Sequence, residues 1–193
     1  TKTRYTDSHT QKGVLERVQG CLFGMAAGAW LNAITREYSP SENAFSSLVW
    51  NIPFTWKPDD GIELALALAN SLIKEKMFKP EAVYYAYLTW MLSRPFKENR
   101  PILTGIGEKT STLLRTAVLA CFGRNCELTQ VIHWCALNVK ITHPDPICVF
   151  ANEIYAVAVF FALKSGNPEE FYEKTIEWGF KSENQKKTVL EAL

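Results

Sequence analysis

Apolar residues recur every three to four positions through most of the chain. Between Lys12 and Ile34 they fall at Val14, Leu15, Val18, Leu22, Met25 and Ala26, with Cys21, Phe23 and Ala27 widening the stripe. That spacing predicts an amphipathic helix. Gly20, Gly24 and Gly28 repeat every four residues along it, a row expected to let another helix approach closely at a cost in helix propensity. The run GIELALALANSLIKEK, 61–76, predicts a second helix, with Asp59 or Asp60 as N-cap and Lys74 and Lys76 suited to its negative C-terminal end. Further helices are predicted over 79–93, with Pro80 at the first position, and over 108–123, closed by Gly123. The same period returns at 127–141, 147–166 and 167–180, the last opened by Asn167 and Pro168, and again in the tail 181–193. Proline-rich or glycine-rich stretches at 35–60 and 94–107 interrupt the period and predict long loops, which are often functional. THPDP, 142–146, carries two prolines in five residues and forbids continuous helix. No convincing β alternation appears, so an all-α fold is expected and a doubly wound sheet is disfavoured.

Composition changes this picture little. The 193 residues suffice for one domain spanning 1–193, with residues 1–12 expected to be flexible. Lys and Arg number 21 against 20 Asp and Glu, so bulk electrostatics argue for neither a nucleic-acid nor a membrane partner. No apolar run is expected to reach the roughly 18–20 residues of a membrane span. FANEIYAVAVFFAL, 150–163, is short and carries Asn152 and Glu153. Five cysteines, an odd number without a C-x-x-C pair, suit reduced thiols and a cytoplasmic location.

The chemistry gathers at the breaks between helices. Asp59 and Asp60 are adjacent carboxylates before a buried run, expensive unless capped or neutralised by a cation. Gly105–Ile106–Gly107 and Thr142–His143–Pro144 stand at or near helix starts, where free N–H groups favour phosphate or carboxylate. Taken singly, capping accounts for the Asp pair and a surface turn for His143 equally well, and a tight loop entry without a ligand is the more common use of Gly-Ile-Gly.

In order along the chain, RVQGCLFGMAAGAWLNA, DDGIELALALANSL, GIGEKTSTLLR and THPDPICVFANEIYAVAVFFAL resemble segments of the ADP-ribosylglycohydrolases, from about Val14 to Gly166. The resemblance implies a compact orthogonal helical bundle, here incomplete at the C-terminus. It implies hydrolysis of the glycosidic bond between ADP-ribose and a protein side chain or other acceptor, with one or two magnesium ions. By the same resemblance Asp59 and Asp60 are the catalytic and metal-ligating residues. Gly105, Ile106 and Gly107 bind ribose or diphosphate, and Thr142 and His143 contact the ligand. ADP-ribose, an ADP-ribosylated protein or another protein partner follows.

Departures fall on the acids. The family's Thr-Asp-Asp aligns to Asp59–Asp60–Gly61, or with one inserted residue to Pro58–Asp59–Asp60, and either way one hard oxygen ligand is lost. Ala29, Asn32 and Arg36 replace an Asp, a Gly and a Glu of the family's opening helix. Only Asp7, Asp59, Asp60 and Asp145 occur, so the family's distal Asp-x-Asp-Thr is missing. Magnesium is therefore expected to be weakly held or absent, and hydrolysis impaired. The alternative is a pseudoenzyme serving as an inhibitor or interaction module. Phe45, Trp50, Phe54 and Trp56 in the first loop suit a protein interface.

Overall fold

The computed structural model describes residues 11–37, 60–93 and 111–181. Within them the chain forms seven α-helices and one 3₁₀ turn: α1 (Gln11–Glu37), α2 (Asp60–Glu75), α3 (Pro80–Ser93), α4 (Ser111–Phe122), the turn Gly123–Asn125, α5 (Leu128–Lys140), α6 (Pro146–Ser165) and α7 (Pro168–Phe180). No strand occurs among the described residues, so the all-α expectation holds. The predicted tail helix over 181–193 and the loops around Trp50 and Gly105 lie outside the described residues.

Local chemistry explains the helix ends. Asp145 caps α6, its Oδ1 accepting from the N–H groups of Ile147 at 2.8 Å and Cys148 at 3.2 Å, with Pro146 next in line. Asn167 caps α7 in the same way, accepting from Glu169 N–H at 3.0 Å. Gly166 closes α6 in the left-handed conformation, φ 65°, and the Arg17 side chain lies 3.3 Å from where its Cβ would stand. Arg17 of α1 spans this end, donating from Nε to Leu163 O at 2.7 Å and from Nη2 to Lys164 O at 3.3 Å. A cation there satisfies terminal carbonyls and opposes the negative end of the helix dipole.

Helix α2 begins at Asp60, so of the two expected caps Asp60 is the first helical residue, and Asp59 lies outside the described residues. The helix ends in a left-handed residue that is not glycine: Lys76 adopts φ 56°, its N–H returning to Leu72 O at 2.8 Å. Side chains in this region cost about 1 kcal/mol or more, so Lys76→Gly is expected to raise stability by up to about 1 kcal/mol, read as a higher urea midpoint with an unchanged slope.

The core forms where α4 packs against α1, α2, α5 and α6. Leu64, Leu68 and Leu72 of α2, Leu119 of α4, Val131 and Cys135 of α5 and Phe160 of α6 are buried there, with Val83 and Tyr87 of α3. The i, i+4, i+8 spacing of the three leucines puts them on one face of α2. Cys21 of α1 meets Cys121 of α4, thiol to thiol. The contact lowers the pKa of Cys21 and raises that of Cys121, and all five cysteines are free.

Two sequence expectations need correction. Gly20, Gly24 and Gly28 are exposed and have no atom within 4 Å of an added Cβ, so the row seats no neighbour among the described residues. Phe23 lies on that outer face, 75% exposed. Its i−3, i+1 and i+5 positions are the glycines, and the packed stripe runs instead through Val18, Cys21, Leu22 and Met25. Helix α6, 20 residues, is also long and apolar enough to cross a membrane by length and composition, because Pro146–Val149 extend the run the sequence showed. Here nine of its residues are buried, against α1, α4, α5 and α7.

Candidate functional site

Buried polar side chains are concentrated on α4 and the corner after α5. Thr112, Arg115 and Thr116 of α4, Thr142 and His143 of the corner, Asn138 of α5 and Asn152 of α6 are all buried. A buried polar group costs free energy unless it is bonded, so its partners carry the information.

Helical spacing divides α4 into two polar faces. Thr112 and Thr116, four residues apart, meet α6. The Asn152 amide donates to Thr112 Oγ1 at 2.7 Å and to Cys148 O at 2.8 Å, and its Oδ1 accepts from the Thr116 hydroxyl at 2.7 Å. Arg115 points instead toward the α5–α6 corner. It is fully buried, and its Nη2 donates to Thr142 Oγ1 at 2.7 Å. That same oxygen lies 2.9 Å from His143 Nδ1. The corner is built by backbone bonds from Thr142 and His143 N–H to Val139 O, after which Pro144 and Pro146 stop α5 from continuing.

Helix α3 ties this corner to the start of α2. The Arg115 guanidinium lies over the Tyr87 ring, 5.1 Å from its centroid. The Tyr87 hydroxyl donates to Asn138 Oδ1 at 2.7 Å, and complete burial pushes its pKa up, which keeps it a neutral donor. One turn later Trp90 Nε1 donates to Glu63 Oε2 at 2.6 Å, so the buried Glu63 is held in the first turn of α2, three residues after Asp60. The contacts run from the first turn of α2 through Trp90 and Tyr87 to Arg115, Thr142 and His143.

Of the expected site residues, Thr142 and His143 are thus joined and buried, and Asp60 stands in the first turn of α2. Asp59, Gly105, Ile106 and Gly107 lie outside the described residues. Glu63, Tyr87, Arg115 and Asn152 were not foreseen. Their signal was a polar residue at a position the helical period assigns to the packed face. Among the described residues no three His, Cys, Asp or Glu side chains are arranged to hold a metal, and Asp60 is the one expected ligand within them. These residues alone do not make a magnesium site.

A groove of about 720 Å³ between α2 and α3 is lined by Glu63, Leu66, Asn70, Lys74, Tyr85 and Trp90, among others. It shares Glu63 and Trp90 with the contact path but reaches neither Asp60 nor His143.

No curated protein and no solved structure matches the chain. The family model described as ADP-ribosylglycohydrolase matches residues 10–193, which take in every site residue named above, and the chain belongs to that family of hydrolases.

Proposed function

We propose that the chain binds ADP-ribose or an ADP-ribosylated protein, and that hydrolysis of the ADP-ribosyl bond is slow or lost. The observation that carries this is the Thr142–His143 corner, buried and hydrogen-bonded, in a chain whose α2 start has kept Asp60 and carries Gly61 next to it. Glycine supplies no side-chain oxygen, so the acidic set that would polarise a ribose hydroxyl or activate water is thinner than the family pattern. Thr142 and His143 have been kept where part of the acidic set has not. Magnesium, if used, is held through Asp59 and Asp60 and is weakly bound. Free thiols suit a reducing compartment, and a cytoplasmic location goes with this reading.

Titration calorimetry with ADP-ribose, with and without magnesium, tests it. Heat of binding is expected in wild type, weakened at least tenfold in His143→Ala. Any release of ADP-ribose from a modified arginine or serine substrate is expected to fall at least tenfold in Asp59→Ala and in Asp60→Ala. Absence of heat under both conditions would leave the non-catalytic interaction module, for which the altered positions Ala29, Asn32 and Gly61 already speak.

A further inference from the structure

Arg115 is a costly residue for a core. Its side chain is fully buried, and no acidic side chain among the described residues pairs with it. Nε and Nη1 have no hydrogen-bond partner among the described residues. Replacing a buried charge by an apolar side chain of similar volume is often neutral or stabilising, so packing alone does not account for an arginine here. Its one hydrogen bond goes to Thr142 Oγ1.

We propose that Arg115 is a positioning residue: through the Thr142 hydroxyl it holds His143 in the tautomer that carries its proton on Nε2. The direction of the bonds follows from what each group can do. A guanidinium only donates, so Thr142 Oγ1 accepts from Arg115 at 2.7 Å. The hydroxyl hydrogen must then go elsewhere. The hydroxyl's other partner among the described residues is His143 Nδ1 at 2.9 Å. Nδ1 therefore accepts, and the ring proton sits on Nε2. The Tyr87 ring under the guanidinium and the Tyr87–Asn138 bond behind it fix where Arg115 can point. An imidazole fixed this way presents Nε2–H as a donor, the polarity needed to hold a phosphate or ribose oxygen. The role in binding rests on the ADP-ribose reading; the tautomer does not.

Nitrogen-15 NMR of the imidazole rings, on full-length labelled protein at neutral pH without ligand, reads the tautomer directly. His143→Gln assigns the signal among the three histidines. Wild type is expected to show Nδ1 unprotonated and Nε2 protonated at His143. Arg115→Met and Thr142→Val are expected to give mixed tautomers, and Thr142→Ser to restore the wild-type pattern. ADP-ribose affinity is expected to fall about tenfold in Thr142→Val and to return in Thr142→Ser. Should Arg115→Met fail to fold, Arg115→Lys and the two Thr142 variants carry the test. A proton on Nδ1 in wild type, or an unmixed Nε2–H form in both Arg115→Met and Thr142→Val, overturns the relay. Wild type with the Nε2–H tautomer but no affinity for ADP-ribose overturns the ligand reading and leaves the relay standing.

Discussion

Asn152→Leu is expected to lower stability by about 2–4 kcal/mol while leaving the volume of the α4–α6 contact nearly unchanged. Asn152 uses both ends of its amide: two donor bonds reach Thr112 Oγ1 and Cys148 O, and its oxygen receives the Thr116 hydroxyl. Leucine fills the same space and removes all three. A buried group left unbonded costs about 1–3 kcal/mol; Thr116 loses the acceptor of its hydroxyl, and Thr112 Oγ1 loses one donor. Thr116 has partial relief, since a threonine in a helix can turn its hydroxyl to the carbonyl four residues back. The loss is read from urea unfolding as a lower midpoint at unchanged slope. A loss under about 1 kcal/mol would mean that apolar packing alone joins α4 to α6. The companion Asn152→Asp is expected to be worse. A carboxylate oxygen would then face Cys148 O, acceptor against acceptor, and burial of the charge adds to the cost.

What the sequence makes legible follows from the range of the interaction responsible. Helix α2 and helix α6 announce themselves because their apolar faces repeat every three to four residues. The starts of α6 and α7 are equally plain, since Asp145–Pro146 and Asn167–Pro168 carry their own caps. Thr142 and His143 are recognisable for a similar reason: the prolines around them mark a corner. Arg115 is not. In STLLRTAV it falls four residues before the buried Leu119, a packed position for which pattern alone names no polar partner; its partners are Thr142, 27 residues away, and Tyr87. Glu63 is hidden in the same way by its bond to Trp90, also 27 residues distant. Lys76 in a left-handed conformation and the exposed glycine row of α1 run against propensity; pattern is silent on the first and assigns the second wrongly. The resemblance to the ADP-ribosylglycohydrolases points to Thr142 and His143, and the buried polar contacts show which residues support that corner.

Tyr87→Ala is expected to have the largest effect on the fold, a loss of about 3–5 kcal/mol, the range for truncating a buried aromatic side chain. Tyr87 is fully buried in the main core cluster. It also provides the ring beneath Arg115 and the hydroxyl bonded to Asn138. Tyr87→Phe separates these roles. It keeps the ring and leaves Asn138 Oδ1 without the hydroxyl, at a cost of about 1–3 kcal/mol. Thermal and urea unfolding of the two variants give the packing and hydrogen-bond shares by difference. The site adds a second readout. If the ring sets the direction of Arg115, Tyr87→Phe retains the Nε2–H tautomer of His143 and wild-type affinity for ADP-ribose. Tyr87→Leu, apolar but without a π face for the guanidinium, loosens both. Equal affinity and the same tautomer in Tyr87→Leu and Tyr87→Phe would show that Arg115 is held by Thr142 alone, and that α3 supports the fold without reaching the site.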